Sequence, residues 1–259
     1  MMKIGICTTP DMLPAAKRIG FDYAELSLSA AAALSEEDFT ALFVAVRENG
    51  LPVEAMNMLF PGSIKLVGPE ADLDAAQAYL AKAFPRAQAL GAEVVVFGSG
   101  RARMIPDGVA AADAQKALAA AAQLAGAEAA KYNLTIVMEP LNRGETNSVN
   151  SLAEGKAIVD AVNRPNVRLL ADYYHMAVEK EPMTEIAAAG SLTHTHIARG
   201  AGRTYPLAKS EDDYEGFFRA LSDIHYAGRM SIEGGTQDFE ADAPAALTFL
   251  RALATEYKL

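Results

Sequence analysis

Tryptophan is absent from the 259-residue sequence, and cysteine occurs once, at Cys7. A single thiol cannot form an intrachain disulfide, which excludes the class of small disulfide-rich extracellular proteins. Long apolar runs are also absent, because the Ala-rich segment 109–130 contains five polar or charged residues and predicts an amphipathic helix instead of a membrane span. No signal-peptide pattern opens the sequence, so we expect a cytoplasmic protein without a membrane partner.

Basic residues are scarce relative to acidic ones: 23 Lys and Arg stand against 33 Asp and Glu, a formal net charge of −10. Nucleic-acid binding depends largely on cations that neutralise phosphates, so we expect no nucleic-acid partner. The hydrophobic fraction of 51% is sufficient for a large core. The length suits two small domains or one α/β barrel, and because no linker interrupts the chain we assign residues 1–259 to a single domain.

Short runs typical of β-strands recur along the whole chain. Most of them are apolar on both faces, which is typical of parallel strands covered by helices on one side and by core side chains on the other. There are eight such runs, at residues 3–7, 23–28, 52–58, 92–98, 134–139, 167–172, 192–197 and 229–233.

Helix signals occupy the segments between these strands. Ser35, with Asp38 three residues later, resembles a capping box, and an apolar pattern follows it up to Gly50. Ser151 and Glu154 repeat the start signal. Other glycines stand where helices should end before the next strand, at Gly20, Gly91 and Gly228.

Strict alternation of strands and helices leaves two architectures, a doubly wound open sheet or a closed barrel. Eight regular repeats favour the (β/α)8 TIM barrel. The segment after the first strand has neither a dinucleotide-binding nor a P-loop glycine pattern, so no nucleotide site is predicted there.

Residues of metal-ligand type close four consecutive predicted strands: Glu139, Asp172, His196 and Glu233. Any one of them alone is more often a solvated loop residue or a helix cap. At one rim of a barrel, however, the carboxylates would repel one another unless a cation neutralised them. Three carboxylates and one imidazole suit Mn2+, Mg2+ or Co2+, and Zn2+ is also an option.

Further polar residues follow the same strands. His175 comes three residues after Asp172 and is expected in a loop over the barrel mouth, where it would contact a substrate hydroxyl. Glu145, in the loop after strand five, is a second candidate for hydrogen bonding to the substrate, although an exposed loop acid is nearly as consistent with its position. His194 shares a strand face with His196, and we interpret it as a core histidine that orients a ligand.

Arginines also cluster after the predicted strands, which suggests an anionic substrate because the guanidinium group matches carboxylates and phosphates. We expect about two of them to face the ligand and the others to pair with loop acids. The arginines are Arg101, Arg103, Arg143, Arg199 and Arg203.

The segments EPLNR, ADYYHM, HTHIA and SIEGG, in this order and spacing, resemble motifs of the xylose-isomerase-like TIM barrel superfamily of sugar isomerases and epimerases. The D-tagatose 3-epimerase type is the most similar group, and the resemblance covers essentially all eight repeats. It implies one divalent metal, with Mn2+ as the first expectation, held by Glu139, Asp172, His196 and Glu233. It also implies that Glu139 and Glu233 exchange protons with the substrate.

The resemblance further implies that substrate oxygens are held by Glu145, His175 and Arg203. To these we add Arg101 and Arg143 as expected substrate contacts. In the segment HIARGAGR, Arg199 replaces an acid of the relatives and the loop is longer, so the substrate stays open between a neutral ketose and an anionic sugar. A homo-oligomer is compatible with this assignment.

The predicted function is isomerisation or epimerisation of a keto-sugar, sugar acid or sugar phosphate through proton abstraction next to the carbonyl and an enediolate-like intermediate. One alternative is dehydration of a cyclic keto-polyol of the inosose type. A second, a phosphodiesterase resembling endonuclease IV, is disfavoured because the sequence has four histidines and an acidic balance. A third is a sugar-acid sensor without turnover, for which two proton-transfer carboxylates would be unnecessary.

Overall fold

Eight parallel strands pair in sequence order and close into a barrel in the computed structural model, which describes residues 2–259. The first strand pairs with both the second and the eighth, so every strand has two neighbours and the sheet has no exposed edge. The strands are β1 (Lys3–Cys7), β2 (Tyr23–Ser27), β3 (Val53–Asn57), β4 (Val94–Phe97), β5 (Thr135–Met138), β6 (Val167–Asp172), β7 (Leu192–Ile197) and β8 (Arg229–Ile232). The (β/α)8 prediction is confirmed, and the open sheet is excluded.

Helices cover the outside of the barrel, and several connections contain more than one. Short 3-10 turns at Pro10–Met12 and Lys209–Glu211 precede α1 and α9. The helices are α1 (Leu13–Ile19), α2 (Leu28–Ala33), α3 (Glu36–Asn49), α4 (Leu73–Leu90), α5 (Ala111–Ala130), α6 (Leu152–Val162), α7 (Tyr173–Glu179), α8 (Thr184–Ala189), α9 (Tyr214–Asp223) and α10 (Phe239–Glu256). In residues 2–259 no helix has the length and apolar character needed to cross a bilayer.

The predicted helix caps form in most places. The hydroxyl of Ser35 accepts a hydrogen bond from the Asp38 amide at 3.0 Å, and Gly50 ends α3 in the left-handed region with φ of 72°. Ser151 caps α6 in the same way. The prediction that Gly228 ends a helix is wrong: α9 ends earlier, and Gly228 is required because a Cβ there would collide with the Tyr226 side chain.

Two separate apolar clusters stabilise the fold. The larger one lies between the outer face of the barrel and the helices. The smaller one is contributed by alternating positions of β2 to β6, as expected for the interior of a closed barrel. It consists of Tyr23, Ala55, Val94, Val96, Val137 and Leu170. Gly5 on β1 makes room for the ring of Tyr23, because any side chain at this glycine would occupy the position of that ring.

Ion pairs lie at the end of the barrel where the strands begin, opposite the carboxyl ends of the strands. Glu54 accepts hydrogen bonds from Lys3 Nζ at 2.5 Å and from Arg229 Nε at 2.6 Å. Arg229 also pairs with the exposed Glu93. Burial raises the pKa of Glu54, but the hydrogen bonds from Lys3 and Arg229 outweigh it and lower that pKa below the usual value. The charged groups at this end therefore stabilise the fold.

Glu54→Gln is expected to lower the free energy of unfolding by about 1 to 2 kcal/mol at neutral pH, because charge-assisted hydrogen bonds are lost. Since the pKa is lowered in the fold, this stabilisation is present above the usual glutamate value and is lost as the pH falls through the lowered pKa. Urea unfolding followed by circular dichroism at about pH 7 and about pH 3 should therefore show the difference from wild type shrinking in acid.

Glu93→Gln is the matched control for that measurement. It removes the exposed carboxylate that pairs with the same arginine, and we expect a loss below about 0.5 kcal/mol. An equal destabilisation by Glu54→Gln at both pH values would contradict an ionic contribution from Glu54.

Candidate functional site

Four side chains converge at the carboxyl ends of neighbouring strands. Glu139 directly follows β5, Asp172 ends β6, His196 lies in β7 and Glu233 directly follows β8. Each offers a ligand atom, and these atoms all lie within 4.8 Å of one another. The four residues that the sequence singled out therefore form one cluster.

The imidazole of His196 lies at the base of this cluster and is fully buried. Its Nδ1 is 2.9 Å from Glu139 Oε1 and 3.1 Å from Glu233 Oε2. Its Nε2 is 3.0 Å from Oε1 of a further buried carboxylate, Glu25. Because Nε2 is hydrogen bonded to Glu25, Nδ1 is the ring nitrogen that faces the cluster.

Glu25, in β2, is a buried residue in contact with the cluster that the sequence analysis missed. Its Oε2 accepts hydrogen bonds from His194 Nε2 at 2.8 Å and from the Ser231 hydroxyl at 2.7 Å. The Ser231 oxygen in turn lies 2.7 Å from the hydroxyl of Tyr23. Burial raises the pKa of Glu25, but the two histidines outweigh it and lower that pKa well below its usual range.

A signal for Glu25 does exist in the sequence. Ionisable residues are rarely buried without a partner, and Glu25 stands inside the apolar run YAELSL. The expectation for His194 agrees with this geometry, since it lies beneath the site on the same face of β7 as His196 and shares Glu25 with it.

Asp172 has one oxygen held by the protein and one directed into the cluster. Oδ1 accepts from the Tyr174 amide at 2.7 Å and so caps α7. Oδ2 is buried and has no hydrogen-bond partner in residues 2–259. Burial, with the charge of Glu139, raises the pKa of Asp172 to about 8. A cation at this oxygen would satisfy it and offset the repulsion.

The two glutamates have different electrostatic environments. Burial raises the pKa of Glu139, although His196 partly offsets this. Glu233 is also subject to burial, but His196 and Arg203 outweigh it and lower the pKa of Glu233 to about 2. Three carboxylates and one imidazole with an unsatisfied oxygen among them fit a hard divalent cation.

Arg203 joins the cluster to the loops above it. It donates to Glu233 Oε2 at 2.6 Å and to Glu145 Oε1 at 2.9 Å. Its guanidinium also lies 4.6 Å from the centre of the Tyr174 ring. Both loop residues expected to hold substrate oxygens, Glu145 and Arg203, therefore lie beside the candidate metal ligands.

His175 lies in the first turn of α7, and the expectation of a loop position is corrected, because Asp172 caps a helix immediately after β6. The backbone amide of Asn142 donates to His175 Nδ1 at 3.1 Å. Burial, with the charge of Arg203, lowers the pKa of His175 to about 3, so the ring is neutral near pH 7. The proton then resides on Nε2, which is 3.4 Å from Asp172 Oδ2 and faces the cluster as a donor.

A cavity of about 890 Å³ opens onto this cluster. Glu139, Glu145, Arg203 and Glu233 line it, together with the loops that follow β3 and β4. Its size is in the upper part of the range for small-molecule pockets.

The five candidate arginines have different positions. Arg101 lines the cavity beside Arg203. Arg143 pairs with Glu179 on the surface and is not on the cavity wall, and Arg199 lies 3.9 Å from Glu211. Arg103 is fully buried and donates to the Phe97 carbonyl at 3.2 Å. Whether each arginine lines the cavity depends on the conformation of its loop, which strand periodicity does not determine.

The sequence of the chain is similar to those of known proteins. The family model described as xylose isomerase-like TIM barrel matches residues 13–253. An L-ribulose 3-epimerase from Methylomonas sp. (strain DH-1) is 40% identical over 107 residues, which are 40% of this chain and 37% of that protein. A ketose 3-epimerase from Arthrobacter globiformis is 33% identical over 107 residues. The matched segments thus span little more than a third of these curated relatives.

Solved structures match over nearly the full chain. A D-psicose 3-epimerase crystallised in the presence of D-fructose has a TM-score of 0.86 at 21% identity, covering 97% of this chain and 99% of its own. At that identity the likeness shows the fold alone. A D-allulose 3-epimerase from Methylomonas sp. has a TM-score of 0.84 at 26% identity, with 97% and 98% covered.

Glu25→Gln is expected to weaken Mn2+ binding about 10- to 100-fold, because His196 loses the anionic acceptor that orients its ring and increases its basicity. Isothermal titration of the metal-free protein with Mn2+ measures the effect, and Glu128→Gln, a buried glutamate of α5 far from the site, is the control. Unchanged Mn2+ affinity in a folded Glu25→Gln variant would show that Glu25 has only a packing role.

Proposed function

The chain belongs to the xylose isomerase-like TIM barrel family, and from this premise we propose that it is a divalent-metal-dependent epimerase of ketoses. One observation carries the proposal: two glutamates, Glu139 and Glu233, approach the same imidazole nitrogen at 2.9 and 3.1 Å and line one cavity. Epimerisation needs one group that removes a proton from a carbon and a second that returns a proton to it, and two carboxyl groups can take these roles.

The proposed cation is Mn2+, held by Glu139, Asp172, His196 through Nδ1, and Glu233. The unsatisfied Asp172 oxygen supports this assignment, as do the oxygen-rich donors. When bound, a cation there would supply Lewis-acid stabilisation of the negative charge that develops next to the ketone when the proton leaves.

The proton transfers are assigned to the two glutamates. One carboxylate removes the proton from the carbon next to the carbonyl, which gives an enediolate-like state of the sugar. The second glutamate, on the opposite face and protonated as the carboxylic acid, delivers its proton to the same carbon and so inverts it. Because each glutamate serves as base in one direction and as acid in the other, the same pair catalyses the reverse reaction.

Neighbouring residues are assigned to hold the sugar. His175 is neutral, and its Nε2 hydrogen faces the cluster, so it donates to a substrate hydroxyl. Arg203 and Glu145, which hydrogen bond to each other at 2.9 Å, provide a donor and an acceptor for further hydroxyls. Fixing these oxygens orients the reacting carbon between the two carboxylates.

The names of the relatives support a choice of reacting carbon. Proteins named L-ribulose 3-epimerase and ketose 3-epimerase share 40% and 33% identity with segments of this chain. We therefore propose C3 of a 2-ketose, and we favour epimerisation over dehydration of a cyclic keto-polyol and over binding without turnover.

Incubation of the Mn2+-loaded protein with ketopentoses and ketohexoses in deuterated water is expected to place deuterium at C3 and to form the C3 epimer. Glu139→Gln and Glu233→Gln should each slow the exchange by about 10²- to 10⁴-fold, because each removes a proton-transfer group. Nuclear magnetic resonance of the sugar measures both exchange and product.

Glu37→Gln, on the surface of α3, is the control for a lost carboxylate and should exchange at the wild-type rate. Exchange that persists in both active-site variants would exclude the assigned roles. A wild-type protein that exchanges no ketose of the panel would exclude epimerase activity on these sugars.

A further inference from the structure

A second group of polar residues lines the same cavity, in the loops after β3 and β4. Lys65 and Arg101 contribute the cations of this wall, and Gly62, Ser63 and Gly100 lie beside them. None of these residues takes part in the carboxylate and imidazole cluster described above. The cavity of about 890 Å³ has more room than the six carbons of a ketohexose occupy.

The two loops are joined in a defined arrangement. The ammonium group of Lys65 donates to the Gly62 carbonyl at 2.8 Å and to the Arg101 carbonyl at 3.3 Å. Gly62 permits the close approach, because a Cβ there would be 2.9 Å from the Arg101 Cβ. Lys65 is thereby held beside Arg101 and retains a third N–H for a ligand.

Neither cation forms an ion pair in the part of the chain that the structure describes. Within residues 2–259, no carboxylate lies within ion-pair distance of Lys65 or Arg101. By contrast, Arg203 pairs with Glu145 and Glu233. Arg143 pairs with Glu179 and Arg199 with Glu211, and neither of these arginines lines the cavity.

Of the basic residues that lack a carboxylate partner in residues 2–259, Lys65 and Arg101 are the two that line the cavity, in a chain with ten more acidic than basic residues. A pair of cations on the wall of a cavity, in a protein with abundant carboxylates, is suited to an anion supplied by the ligand. The guanidinium group presents two parallel donors to an oxyanion, and the ammonium group adds a point charge.

We propose that the substrate is an anionic ketose whose phosphate or carboxylate group binds between Lys65 and Arg101. The inference rests on the proposed function for the ketose part of the molecule. The oxyanion is the chemistry shared by sugar phosphates and keto sugar acids. The ketone end is directed to the carboxylate cluster, and the oxyanion end to the loops after β3 and β4.

The test compares affinities of the Mn2+-loaded protein for a neutral ketohexose, its 1-phosphate, its 6-phosphate and a keto sugar acid of the same length, by isothermal titration. At least one anionic sugar is expected to bind about 10-fold or more tightly than the neutral ketose. The tightest ligand distinguishes phosphate from carboxylate. Arg101→Gln and Lys65→Gln should each reduce this preference, and the double variant should abolish it.

Arg47→Gln, which removes an exposed cation of α3 that packs over Phe43 outside the cavity, is the charge-matched control and should keep the full preference. Equal affinity for neutral and anionic sugars, or a preference that survives in the double variant, overturns the proposal.

Deuterium exchange in the same samples distinguishes failure of the oxyanion site from failure of the epimerase function. An anionic preference that depends on Lys65 and Arg101, without exchange into any sugar, would overturn the epimerase function and leave the oxyanion site established. Exchange into neutral ketoses without any anionic preference would overturn the oxyanion site and leave the function standing.

Discussion

The hydrogen bond between buried Glu25 and His196 Nε2 is the interaction on which the site depends. It directs Nδ1 of the ring toward the rim, where three other carboxylates lie within 4.8 Å. Glu25 is itself held by Ser231 and His194, and Ser231 contacts Tyr23, whose ring fits over Gly5. Packing in the barrel interior is thereby coupled to the orientation of one ligand nitrogen at the rim.

Charge is distributed differently at the two ends of the barrel. Where the strands begin, Glu54 is matched with Lys3 and Arg229, and the arrangement is complete within the protein. Where the strands end, the carboxylates outnumber the cations near them, and one Asp172 oxygen is unsatisfied. The first end therefore contributes stability, and the second end has the charge imbalance on which the proposed cation site rests, a division that is usual for this barrel architecture.

The barrel and its ligand-type residues could be predicted because both follow from local pattern. Apolar runs predict strands, and Glu139, Asp172, His196 and Glu233 were found by asking which side chains close them. Glu25 was missed because it lies within a strand and acquires its role only when β2 and β7 face each other across the barrel. That Arg143 pairs with Glu179 while Arg101 lines the cavity was unpredictable, because both positions depend on how distant segments fold against each other, which strand periodicity does not encode.

The site draws on two parts of the chain that are structurally distinct. Its ligand-type side chains are anchored to β5 through β8, whereas much of the cavity wall belongs to the loops after β3 and β4. Those loops are tied to each other by Lys65, and the hydrogen bonds of Glu25 beneath His196 involve other residues. Substitutions at exposed positions of these loops, such as Ser63 and Arg101, can therefore change which molecules are accepted while the carboxylate and imidazole cluster is retained, so this scaffold is well suited to diversification by gene duplication or laboratory evolution.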